Sequence, residues 1–342
     1  MKSYFFEINP ESSFSTPLSG DILFGHICWE IAYDSSLVGK LEDLLKNYSE
    51  KPFLITSSLF PVVNNEWILP RPSLPSRFWI KKSEKDVLKR KELEKKKFFK
   101  LQKNGLSLAK RRKEESFDCF LSSDEFLQEW KKEETETHVS IFLPSVPSHD
   151  STSSLWKKEE TETHVSISRL VGTSGQEGFS PYTTNTVFFR PGLHLGFLVM
   201  TDLNSSSIEK IIKRIGEGGY GKDVSTGKGK FSIKKVSQWN SQDYSPKNAD
   251  AYFSLSPSVL QNEEEIFCET FTRFGRLGRD FALDKNPFKN PVIFAKEGAV
   301  LKKNSPTDLE YIGSIIENVS KRKEVVGQGF SPVLPIHVGW EE

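Results

Sequence analysis

The sequence predicts an α+β chain built from two ferredoxin-like (RRM-like) units, the first of them carrying a large insertion. Three observations lead there. Residues 1–63 and 186–238, taken together, read strand–helix–strand and then strand–helix–strand, which is the βαββαβ order. The 342 residues are 36% hydrophobic and 27% charged, enough apolar material for two cores and too much for a disordered chain. A glycine-rich loop at residues 216–231 separates the second helix from the last strand of the first unit.

Tyr4–Ile8 is an aromatic strand. Pro10, Pro17 and Gly20 mark a turn, and Ser19 or Asp21 can cap the helix that follows. In that helix Ile22, Leu23, Ile27, Ile31 and Ala32 recur at helical spacing up to Tyr33. Residues 53–63 read as a strand or strand pair, and the proline-rich stretch 70–75 breaks regular structure. From Thr186 to Met200 the chain is strand-like again. Residues 205–215 form a capped helix with Ile208, Ile211, Ile212 and Ile215 on one side, and residues 231–236 are a strand. The predicted boundaries are a first unit at 1–238 with its insertion at about 81–163, a polar linker at 239–251, and a smaller, degenerate ferredoxin-like unit at 252–342. Strand candidates in the last unit are 252–255, 265–272, 291–295 and 332–338.

The formal net charge of +1 hides strong local segregation. Residues 80–115 hold fifteen Lys/Arg against six Asp/Glu, and residues 124–164 hold four Lys against ten Asp/Glu. Both blocks interrupt the apolar rhythm and read as an inserted arm of solvated faces. Within the acidic block Trp130–Ile141 and Trp156–Ile167 are the same twelve residues, WKKEETETHVSI. Two copies are too few for a solenoid, which needs about three. The second copy, which runs directly into a strand region, reads as the native one. The first, followed by prolines and serines, reads as a duplication in a tolerant loop.

Chemistry concentrates at GEGGYGKDVSTGKGKF. Glycines 216, 218, 219, 221, 227 and 229 admit positive φ and close approach of a ligand to the backbone. Lys222, Lys228 and Lys230 add point charges suited to phosphates, and residues 205–235 carry eight Lys/Arg against three Asp/Glu. Two nucleotide motifs match in letters and fail in context. Gly216, Gly218 and Gly221 satisfy G-x-G-x-x-G, but the loop lies between helix and strand, the reverse of the dinucleotide arrangement. Gly216–Lys222 satisfies G-x-x-x-x-G-K, but Asp223 stands where a P-loop needs Ser or Thr for magnesium. The loop therefore reads as a polyanion grip. Arg273, Arg276 and Arg279, spaced around Gly275 and Gly278, are a second candidate phosphate strip, equally readable as a solvated surface.

The remaining features exclude function classes. Cys28, Cys119 and Cys268 have no metal or disulfide spacing, which fits a reducing cytoplasm. No carboxylate cluster has metal spacing, no cofactor is expected, and neither a signal peptide nor a membrane-length apolar run is present. Of the six histidines, His26 lies among Phe24, Ile27, Cys28 and Trp29 and reads as a half-buried structural residue. His164 precedes Arg169 in the segment that leads to the strand region at Thr186.

At this point the chain resembles the RAMP proteins of CRISPR systems. Their signature loop is carried here by Gly216, Gly218, Gly219, Ser225, Gly227, Gly229 and Phe231. Within RAMPs, Pro17–Tyr33, His164–Ser180, Phe271–Asp280, Phe288–Leu301 and Val325–Val338 resemble the fourth-subunit family of type III-A Csm effectors, over about 1–80 and 160–342. The resemblance implies a non-catalytic subunit in antiviral defence that caps the 5′ tag of the crRNA. Its implied partners are the large polymerase-type subunit and the backbone RAMP subunit, with target RNA contacted indirectly and no membrane. Ser19, His164, Arg169, the glycine loop and the three arginines would be its RNA-binding residues, and 81–163 a thumb wedged beside the tag. The alternatives are a RAMP endoribonuclease that cuts repeat RNA with a histidine, and a generic RNA-binding module.

Overall fold

The computed structural model describes residues 1–79, 87–114, 116–136, 156–165, 167, 172–174, 180–260, 265–304 and 309–340. Strand β1 (Lys2–Pro10) leads into helix α1 (Gly20–Tyr33), the short α2 (Leu41–Leu45), and strands β2 (Leu54–Thr56), β3 (Phe60–Val63) and β4 (Glu66–Pro70). Next come α3 (Val87–Lys95), β5 (Phe98–Leu101), β6 (Leu106–Ser107), α4 (Leu108–Glu114), β7 (Phe120–Leu121) and α5 (Ser123–Glu136). A hairpin of β8 (Lys157–His164) and β9 (Tyr182–Phe189) precedes β10 (His194–Thr201), α6 (Ser205–Gly218) and β11 (Phe231–Gln238). The rest is β12 (Ala251–Ser254), β13 (Ile266–Phe267), β14 (Thr270–Arg273), β15 (Val292–Ala295), β16 (Val300–Lys302), β17 (Tyr311–Ile316) and β18 (Gly327–His337).

The main sheet runs β11-β1-β10-β3-β4-β5-β7, with β2 also on β10. Its first four members are the fourth, first, third and second strands of a βαββαβ unit, the order expected for residues 1–238. Period-two alternation buries both faces. Phe6, Ile8, Phe197 and Val199 face α1 and α6, whereas Phe5 and Leu198 face a second core shared with Phe253 and Leu334. Ile208, Ile211, Ile212 and Ile215 of α6 are fully buried, each stabilising the fold by roughly 1.5–3 kcal/mol. Gly216 extends that stripe because a Cβ there would lie 2.2 Å from the Phe231 carbonyl oxygen.

Two expectations need correction. Residues 252–342 form a sheet β13-β16-β12-β18-β17 and a separate β14-β15 ribbon, with no α-helix among the described residues, so the βαββαβ order is not repeated there. Their apolar residues are buried by stacking on the first sheet, which leaves no need for covering helices. The described residues 98–130, within the stretch read as an insertion, are not an appended arm. β5 and β7 extend the main sheet, β6 pairs in parallel with β18, and Phe99, Phe120, Phe126 and Trp130 are buried.

The twin segments differ in conformation. Trp130–Glu136 is the end of helix α5 and the identical Trp156–Glu162 enters strand β8. Trp130 is 2% exposed, so the first copy begins in core structure where the sequence suggested a tolerant loop. A further join ties the sheets together: Thr56 donates its N–H to Gln328 Oε1 at 2.9 Å, and Gln328 Nε2 donates to the Thr56 carbonyl at 2.8 Å. Gln328 is fully buried.

Candidate nucleic-acid interface

The glycine loop folds back onto residues 11–19 instead of standing free. Helix α6 runs through Gly216 and Gly218 and ends where Gly219, at φ 101°, donates to the Ile215 carbonyl. Tyr220 is buried and donates its hydroxyl to the Pro17 carbonyl at 2.7 Å. Gly229, at φ 77°, sits so close that a Cβ would lie 2.1 Å from the Tyr220 carbonyl oxygen. The Gly221 N–H donates to His26 Nε2 at 2.8 Å, Lys222 N–H to Thr16 Oγ1 at 2.9 Å, and Lys230 N–H to Ser12 Oγ at 2.8 Å. Gly229 N–H donates to the Ser13 carbonyl. The expectation that the glycines free backbone N–H groups for phosphate is therefore corrected: at 219–222, 226, 227, 229 and 230 those donors are used within the fold. Gly216, Gly219, Gly221 and Gly229 serve close packing, whereas Gly218 and Gly227, the latter at φ 87°, have open space where a Cβ would stand.

The three loop lysines divide. Lys222 and Lys230 are exposed and make no ion pair among the described residues, and Ser225 is exposed between them. Lys228 is 7% exposed, pairs with Glu162 of β8 and donates to Thr186 Oγ1 of β9 at 2.7 Å. It fastens the hairpin to the loop and is not a surface cation. The Lys228 bond holds the Glu162 carboxyl below its ordinary value. His164 lies 3.0 Å from Thr184 Oγ1 and stacks on Tyr182, on the same hairpin. Arg169 lies outside the described residues.

Ser19 and the arginine strip are also internal fixtures. Ser19 is buried, and its hydroxyl bonds to Asp21. Arg273 Nη2 donates to Ser19 Oγ at 3.1 Å and Asp21 Oδ1 at 2.9 Å. Arg279 reaches Glu30 at 3.5 Å, so two of the three arginines clamp their loop to α1. Arg276 and Arg279 are both exposed, Arg276 lying beside Phe288 with its Nη2 donating to the Ala282 carbonyl at 3.2 Å. The sequence could not reveal these partners, which lie about 250 positions away. His26 is neutral: burial first, then Arg279, pull its pKa to about 4. Because its Nε2 accepts the Gly221 N–H, the hydrogen sits on the buried, unpartnered Nδ1.

A cleft of about 700 Å³, missed at the sequence level, opens between the hairpin, residues 14–19 and β14. Trp156, Lys157, Phe271 and Thr16 are among its walls, and Thr16 is the residue that holds the Lys222 N–H. Among the described residues no cluster of His, Cys, Asp or Glu could hold a metal ion, and no helix is long and apolar enough to cross a membrane.

No protein-family model matches the chain, and a sequence search of characterised proteins returns no match. Solved structures do resemble it. The class is a mixed α+β fold with several sheets. The particular likeness is to Csm4. One similar chain comes from a Csm3–Csm4 subcomplex of the type III-A CRISPR–Cas interference complex, with a TM-score of 0.59, 16% identity, and coverage of 98% of this chain and 99% of that one. Two others come from Csm1–Csm4 cassettes, in complex with AMPPNP (TM-score 0.52, 17% identity) and with pppApA (TM-score 0.51, 16% identity), each covering 98% of both chains. The protein has the Csm4 fold over essentially its full length.

Proposed function

We propose that the protein is a non-catalytic, crRNA-binding structural subunit of a type III CRISPR ribonucleoprotein acting in antiviral defence. It caps the 5′ tag of the crRNA and contacts the large polymerase-type subunit and the backbone RAMP subunit, meeting target RNA only indirectly. The observation that carries this reading is the full-length likeness to Csm4, the component common to the Csm3–Csm4 and Csm1–Csm4 assemblies. Lys222, Ser225 and Lys230 supply an exposed phosphate-binding edge, and the adjoining cleft offers Lys157 and aromatic side chains on which an unpaired base can stack. His164 and Tyr182 extend that surface along the hairpin.

A histidine-dependent endoribonuclease is the competing assignment, and His26 argues against it. Its Nε2 is occupied, and burial keeps it neutral rather than poised near pH 7. The test is incubation with a tag-bearing repeat RNA without divalent metal. Retention of intact RNA, and co-purification with Csm1-type and Csm3-type subunits, is the expected result. Metal-independent cleavage that vanishes in His26→Ala overturns it in favour of the enzyme.

A further inference from the structure

Strand β9 is held on both edges. On one, Val187 exchanges both backbone hydrogen bonds with Phe14, at 2.8 Å each. On the other lies β8, in register Glu159↔Val187, Glu160↔Thr186 and Thr161↔Asn185. Side chains fix that second edge: Trp156 stacks on Phe189 at 5.9 Å, Thr161 bonds to Asn185 at 3.2 Å, and Glu162 meets Lys228. The three groups from the second copy have identical counterparts in the first, where Trp130, Thr135 and Glu136 stand for Trp156, Thr161 and Glu162.

The two copies also begin at the same place in space. Arg190 donates its N–H to the Trp156 carbonyl at 3.3 Å, while its guanidinium lies 5.8 Å from the centre of the Trp130 ring. Phe126 of α5 is 6.2 Å from Trp156. The Trp156 indole N–H is buried without a partner, an imperfection in the present seating. We infer that β9 is a docking edge for a WKKEETE segment, and that the chain carries two interchangeable occupants for it, Trp156–Glu162 and Trp130–Glu136. With the first copy seated, the hairpin keeps the same side-chain contacts and its connection lengthens by 26 residues, the spacing of the copies. The burial of Trp130 in α5 makes the second copy the resident.

Proline substitution tests this directly. Since Val187 spends its backbone groups on Phe14, alternation places Glu160 and Thr186 in a hydrogen-bonded pair, so Glu160→Pro removes a ladder donor. In Glu160→Pro, amides of 182–189 should stay measurably protected above an unstructured segment, because Trp130–Glu136 takes over, although withdrawing Trp130 from its buried place lowers that protection. Adding Glu134→Pro should reduce those that face β8 to the rate of an unstructured segment, leaving the Val187 amide on Phe14. A cysteine pair reads the same event by geometry, because Thr161 and Asn185 form a close, non-hydrogen-bonded pair. Thr161→Cys with Asn185→Cys should link readily under oxidation. Thr135→Cys with Asn185→Cys should link slowly in the parent and quickly with Glu160→Pro. Loss of 182–189 protection in Glu160→Pro as complete as in the double variant, with β1 and β10 still protected, overturns the inference. So does a Thr135→Cys/Asn185→Cys pair that stays unlinked under conditions that link the 161–185 pair.

Discussion

Substituting the loop lysines should separate RNA grip from hairpin fastening. Lys222 and Lys230 are exposed and unpaired among the described residues, so each can neutralise one phosphate. A lost contact on single-stranded RNA lowers the slope of log affinity against log salt by roughly 0.7, so Lys222→Ala with Lys230→Ala should lower it by about 1.4. Between roughly 50 and 200 mM salt the variant should then lose about sevenfold less affinity than the parent does. Its thermal stability should be unchanged, because neither side chain is packed. Lys228→Ala should do the reverse. It removes a charge-assisted bond from a buried ammonium, which costs about 1.5–3 kcal/mol of stability, and leaves the salt slope unaltered. Filter-binding titrations at several salt concentrations with a tag-bearing RNA, beside denaturant unfolding, measure both quantities. If Lys228→Ala alone lowers the slope while the stability stays fixed, the division of the lysines is wrong.

Three further outcomes follow from burial and backbone geometry. Trp130→Ala should destabilise the protein by about 3–5 kcal/mol in urea unfolding, whereas a loop residue would register near zero. His26 has a folded pKa of about 4 against an ordinary 6.5, so the unfolded chain binds the extra proton between those values; stability should be full above pH 6.5 and fall by about 3 kcal/mol as pH drops to 4. An imidazole resonance of His26 titrating near 6.5 would refute this. Gly227→Ala should fold with a penalty of about 1 kcal/mol for its positive φ, while Gly229→Ala, whose Cβ would collide with the Tyr220 backbone, should lose the loop's attachment altogether, as read by thermal melting.

The first unit was legible because its signals are local. The isoleucine stripe of α6 and the aromatic alternation of β1 fix both element type and buried face within a dozen residues. The site was less so, because solvent exposure of a charge depends on what arrives from elsewhere in the chain. Lys228 looks like its neighbours Lys222 and Lys230 until Glu162 and Thr186 close over it, and Arg273 looks free until Asp21 meets it. The twin segments mark the limit most plainly. One heptapeptide is helix where Phe126 precedes it and strand where Phe189 faces it, so no reading of local propensity could return both answers.

The Gln328–Thr56 pairing has a mechanical consequence. A side-chain amide bonds both the N–H and the C=O of Thr56, doing for β2 what the backbone of a neighbouring strand would do. Strand β2 hangs from β10 on one edge and from a residue of β18 on the other, so tension on either sheet is passed to its neighbour through one primary amide. Pulled apart or heated, the halves should give way together, in a single event rather than two.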